Sequence, residues 1–174
     1  MNGTFCIPAI AALVGGALFA QDPRVGTPLS EQDRGFIQDA AKANQDEINL
    51  GRLAQQKSSN PQVKSYGQTL VNDHTKALKE LENLAARKGV SVEPNQGATA
   101  RAEYNLLEGM SGAMFDRSFV SQMEQDHEKA ISMFEQALKD TQDPDLRNYI
   151  NSTLPVLRKH LTEARDIDRN LNKG

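Results

Sequence analysis

From residue 30 onward apolar side chains recur every three or four positions, the spacing of helices that each bury one face. Four long segments carry this pattern, and capping residues mark their ends. The first opens at Ser30, whose hydroxyl can accept the amide near Asp33, and runs to about Ser58. Asn60 and Pro61 form a cap and first-turn pair that opens the second, which continues to Lys88 and stops at Gly89. The third fills Ala113 to Asp140. Asp143 and Pro144 repeat the cap and first-turn pair for the fourth, which runs to about Leu171. Links of one or a few residues force the first and second segments, and the third and fourth, into antiparallel hairpins. Between the hairpins lies Val90 to Gly112, too long for a turn, with one short helix expected at Arg101 to Leu107. A link of that length can climb the full height of a bundle, as the single crossover of ferritin-like folds does. At 1.5 Å per residue the main helices are each roughly 40 Å long, so four of them fit one bundle over residues 30–172. Pro155, inside the fourth segment, is expected to bend it.

Composition supports an all-α fold. Hydrophobic residues make up 38% of the 174-residue chain, mostly through Ala and Leu, while aromatics reach only 5%. β-branched and aromatic side chains, which build sheets, are scarce. The net charge of −3 offers no basic surface for a phosphate backbone, which argues against a nucleic-acid partner.

The segment Thr4 to Ala20 carries no charge, and polarity returns abruptly at Gln21 and Asp22. Residues 1–20 read as a secretory signal peptide with cleavage after Ala20, which places the protein in the periplasm or outside the cell. The run is short for a membrane span and is interrupted by Pro8, Gly15 and Gly16; a retained anchor is the alternative. Residues 21–29, with Pro23, Gly26 and Pro28, are expected to be a flexible leader. The sole cysteine, Cys6, falls in the signal segment, so the remaining chain has no thiol to oxidise and no thiolate to bind metal.

Each apolar stripe is broken by one polar residue: Glu47 on the first helix, His74 on the second, His127 on the third and His160 on the fourth. Their heights agree. Glu47 lies 12 residues before Ser59 and His74 lies 15 after it; His127 lies 15 before Gln142 and His160 lies 18 after it. Each hairpin therefore offsets its pair by only roughly 5 Å along the axis. Four polar groups at one level of a bundle interior need a common explanation, because an unpaired buried polar group is costly. Ligation of one transition metal supplies it: imidazole and carboxylate suit Zn²⁺, Fe²⁺, Mn²⁺ or Cu²⁺. Glu124 stands in Glu-x-x-His spacing with His127 and can join the set. The alternative is a hydrogen-bond network with no metal, in a structural or interaction protein of the cell envelope. Asp73 and Asp126, each one residue before a histidine, point about 100° away and suit the surface or a supporting role. No nucleophile, phosphate loop or second acid/base pair supports catalysis, so a binding role in metal storage, buffering or stress is preferred to an enzymatic one.

These residues resemble a bacterial exported family, domain of unknown function 4142. The resemblance is carried by Glu47-x-x-Leu50-Gly51 with Leu53-Ala54, Asp73-His74, Phe115-Asp116, His127, and Leu154-Pro155 followed by His160. It covers nearly the whole helical region and implies a ferritin-like four-helix bundle outside the cytoplasm, without a settled activity. The wider ferritin-like di-iron pattern is met only in part. Val71 and Leu157 stand where carboxylates are expected three residues before His74 and His160. With two bridging carboxylates missing, a mononuclear histidine-rich site is favoured over a dinuclear, oxygen-activating one.

Overall fold

The computed structural model describes residues 29–93 and 97–173. The expected signal peptide and the leader up to residue 28 lie outside the described residues. Leu29, assigned to the leader by the sequence, instead packs into the core with Phe36 and Leu84. Five helices form: α1 (Glu31–Lys57), α2 (Pro61–Arg87), α3 (Ala98–Glu108), α4 (Gly112–Asp140) and α5 (Pro144–Leu171). No strand occurs among the described residues.

The caps act as the sequence indicates. Ser30 Oγ accepts the Asp33 amide at 3.0 Å while Asp33 Oδ2 accepts the Ser30 amide, a closed capping box. Asn60 Oδ1 accepts the Gln62 amide at 2.8 Å, and Asp143 Oδ1 accepts that of Leu146 at 2.9 Å, each followed by proline in the first turn. At the end of α2, Gly89 adopts φ +67°. The Val90 amide then reaches the Ala85 carbonyl and the Gly89 amide that of Ala86, which satisfies two terminal carbonyls. The short crossover helix starts three residues earlier than expected, at Ala98 rather than Arg101. Helix α5 continues through Pro155; both that residue and Asn151, whose carbonyl lacks the usual i+4 donor, are exposed to solvent.

Contacts between named residues set the directions. Asn44 meets His74 and Gly51 meets Gly67, so α1 and α2 are antiparallel. Leu138 meets Arg147 and Glu128 meets Arg165, which makes α4 and α5 antiparallel as well. The hairpins pack through α1 on α4 and α2 on α5. With α2 and α4 running the same way, the chain must return the length of the bundle between them. It does so beside α1: Gln38 donates to the Glu93 carbonyl, Ala100 and Glu103 lie by Asp46, and Leu107 enters the core near Leu50.

The apolar interior is divided in two. One cluster holds Phe36, Ile48, Leu81, Phe134 and Ile150; the other holds Leu53, Tyr66, Phe115, Phe119 and Met123. The layer between them contains Asn44, Glu47, His74, His127 and His160, all buried.

An ion-pair cluster closes one end. Lys88 Nζ, the cap residue of α2, stands 2.6 Å from Asp143 and 2.8 Å from Asp145, with Lys88 and Asp143 nearly buried. Burial pushes the Asp143 carboxyl up, but Lys88 and the Leu146 and Asp145 amides outweigh it and hold the pKa below the ordinary value. Asp143→Ala removes a helix cap and a charged hydrogen bond together, an expected loss of about 2–3 kcal/mol at pH 7. Because the folded pKa is depressed, that contribution is present above the unfolded value and lost as pH falls through the folded one. Urea denaturation at neutral and strongly acidic pH checks this: the difference between variant and wild type should shrink in acid.

Candidate metal centre

The three histidines reach the bundle axis because each lies on the apolar stripe of its helix, one turn from core residues. His74 neighbours Leu70 and Leu78, His127 neighbours Met123, and His160 neighbours Leu157 and Ala164. Their ring centroids form a nearly equilateral triangle of 5.3, 5.3 and 5.7 Å. One nitrogen from each ring lies within 4.8 Å of the other two, and His127 Nε2 is 3.2 Å from His160 Nδ1. Two imidazole nitrogens that bind one ion at about 2.0–2.1 Å in tetrahedral geometry are about 3.3 Å apart. The His127–His160 pair already stands near that separation.

Surrounding oxygens set the tautomers. His127 Nδ1 is 2.8 Å from the Met123 carbonyl, which can only accept, so Nδ1 carries the proton. His160 Nε2 donates to Asp73 Oδ2 at 2.9 Å. His74 Nδ1 is 2.9 Å from Asn44 Oδ1, and the Asn44 amide group donates to the Ala40 carbonyl at 2.7 Å, which orients its oxygen toward the ring. These bonds leave lone pairs on His74 Nε2, His127 Nε2 and His160 Nδ1. His74 Nε2 is buried without a partner. Two lone pairs facing each other at 3.2 Å repel unless a proton or a cation lies between them. An added proton is opposed, since burial pushes His127 down to about 4 and, with His127 and His160 nearby, pushes His74 well below the ordinary histidine value. His160 is also lowered by burial, with Asp73 opposing that shift. Three neutral imidazoles, each fixed by an outer oxygen, can hold a soft or borderline metal ion.

Glu47 and Glu124 take different places. Glu47 Oε1 lies 3.7 Å from His127 Nδ1, the nitrogen already bonded to Met123, and Oε2 is buried without a partner. Burial, with Asp126 and Asp46 nearby, pushes this carboxyl well above the usual range. Glu124 is drawn toward α5, where its carboxylate is 3.8 Å from Arg165. The convergent group found among the described residues comprises the three histidines alone. Asp73 serves as the supporting acceptor of His160, one of the two roles its position allowed. Asn44 went unnoticed in the sequence, although its place three residues before Glu47, on the same helical face, was a usable signal.

Two cavities flank the histidines. A larger one of about 330 Å³ lies between α1 and α4 beneath α3 and is lined by His74, His127 and Glu47. A smaller one of about 170 Å³ lies between α2 and α5 and is lined by His74, His160 and Asp73.

Comparison with known proteins agrees with this architecture. Residues 19–167 match the family described as Domain of unknown function (DUF4142), and the chain belongs to that family. A DUF305 fragment from Deinococcus radiodurans superposes with a TM-score of 0.73 at 18% identity, covering 85% of this chain and 100% of that one. CopM in its Cu(II)-bound form gives 0.69 at 22% identity, and in its Cu(I)-bound form 0.67 at 20%; each covers 79% of this chain and 96% of that one. At these identities the likeness is one of fold. No curated protein matches the chain. No helix among the described residues is long and apolar enough to cross a membrane.

Proposed function

We propose that this member of the DUF4142 family is an exported, ferritin-like helical bundle that binds one transition-metal ion through His74, His127 and His160, in storage, buffering or response to metal stress. The observation that carries the reading is the convergence of three buried imidazole lone pairs whose outer nitrogens are already committed to Asn44, Met123 and Asp73. Of the metals suited to such a set, a monovalent soft ion such as Cu⁺ fits the charge balance most directly. Asp73, which accepts from His160 Nε2, is the carboxylate hydrogen-bonded to the cluster, and Glu47 Oε2 is buried nearby without a partner. CopM, which has a similar fold, is solved with Cu(I) and with Cu(II) bound, which supports copper as the metal without choosing its charge. Export is supported by the uncharged segment from Thr4 to Ala20 and by the absence of cysteine after residue 6. Val71 and Leu157, standing where bridging carboxylates would precede His74 and His160, favour a mononuclear site over a di-iron one.

A metal-free network in an envelope protein is the second reading, favoured by the same outer bonds, which would also hold the rings in register. Loading decides between them. Untagged protein exposed to Cu⁺ under reducing conditions and then desalted should retain one ion per chain by elemental analysis; retention well below that sinks the metal reading. Asp73→Asn should weaken affinity by about 10–100-fold while leaving the bundle folded, because it loosens the support of one ligand without removing the ligand.

A further inference from the structure

A buried metal centre has to be reached from solvent, and both flanking cavities touch the histidines. We infer that the cavity between α1, α3 and α4 is an outer cation-collecting site through which the metal reaches the three histidines, with Asp46, Glu103 and Asp126 as its carboxylates and Glu47 at its inner end. This inference rests on the metal-binding reading above.

The two cavities differ in how their acids are engaged. In the α2–α5 cavity, Asp73 is bonded to His160 and Glu80 is paired with Lys76. In the α1–α3–α4 cavity, Asp126 is bonded by Lys129 and Gln122, but Asp46 Oδ1 and Glu47 Oε2 are buried with no partner. The Glu47 side chain is only 8% exposed, so its free oxygen lies against the interior, and the Nε2 of His74 is likewise buried without a partner. Both side chains line the same cavity. Acids crowded at one opening repel each other and draw cations from solution, so an incoming ion relieves the repulsion as it enters. Adjacent residues order the path: Asp46 precedes Glu47 on α1, and Asp126 precedes His127 on α4. Helix α3, which covers this side, has Leu107 as its one buried residue and is therefore the least anchored of the five.

Ag⁺ loading and release, followed by stopped flow in chloride-free buffer, test the route. Ala100→Trp on α3 narrows the proposed path and should slow loading and release alike by about tenfold, leaving the equilibrium affinity unchanged, because an access residue alters the barrier and not the end states. Ala77→Trp, which narrows the α2–α5 cavity, should leave both rates near wild type. Asp46→Asn combined with Glu103→Gln should slow loading and flatten its dependence on ionic strength. Wild-type loading rates in Ala100→Trp, or slowing confined to Ala77→Trp, would overturn the route while leaving the histidine centre intact. Wild-type protein that takes up no Ag⁺ would remove the metal reading and the route with it.

Discussion

His127→Ala should lower metal affinity by more than about 100-fold, so that protein loaded with Cu⁺ or Ag⁺ and desalted retains essentially no metal. Loss of a supporting acceptor alone weakens a site by about 10–100-fold, and loss of a ligand exceeds that. His127 is an informative choice because its Nε2 stands 3.2 Å from His160 Nδ1, near the separation of two nitrogens on one ion. Without it, the two remaining imidazoles offer only linear or strongly bent two-coordinate binding. Glu124→Gln is the matched control: its carboxylate is paired with Arg165 outside the histidine cluster, so affinity should stay within about twofold. Equal loss in both variants would point to general destabilisation, which circular dichroism of the metal-free proteins detects. His160→Asn provides a second ligand deletion with a smaller change in volume, should the alanine variant fold poorly.

The second large effect concerns the contact that brings α1 and α2 together. A Cβ built at Gly67 would lie 2.7 Å from the Gly51 carbonyl oxygen, and one at Gly51 would lie 2.6 Å from the Gly67 oxygen. Both obstacles are backbone, so relief requires the helices to separate, which loosens Leu53, Leu70 and their neighbours. Gly67→Ala gains about 1 kcal/mol in helix propensity, yet overpacking of this kind costs about 1–3 kcal/mol or more. A net loss of about 1–2 kcal/mol is expected, seen as a fall of roughly 2–8 °C in Tm. Gly35→Ala is the contrasting case. Nothing lies within 4 Å of its Cβ position, so propensity acts alone and should stabilise the protein by about 0.5–1 kcal/mol. If Gly67→Ala proves neutral, the close approach is not needed to hold the hairpin.

Much of the architecture can be read before any coordinates. Ser30, Asn60-Pro61, Gly89 and Asp143-Pro144 mark helix ends by local chemistry, since a cap acts within three or four residues and needs no distant partner. Helical periodicity then places the histidines on inward faces, and counting from two short turns brings them to one height. The hairpin constraint turns a one-dimensional count into a three-dimensional one.

Other features were illegible for an equally physical reason. The part played by Asp73 depends on α5 passing beside α2 on the flank that Asp73 faces, while its neighbour His74 faces the axis. Glu47 has the burial expected of a ligand but meets the already bonded nitrogen of His127, a matter of a few ångströms that helical phase cannot resolve. Glu124 has the right spacing, and its carboxylate stands 3.8 Å from Arg165, a residue 41 positions along the chain that also bonds Glu128.

The helices, their pairing into two hairpins and the level at which three imidazoles and a carboxylate interrupt the core are thus legible in the chain alone, because they follow from local caps and a fixed rise per residue. The tautomer of each ring, the oxygens that hold the rings and the cavities that reach them emerge from the packed bundle. Those depend on lateral contacts between helices distant in sequence, where a rotation of a few tens of degrees exchanges one partner for another.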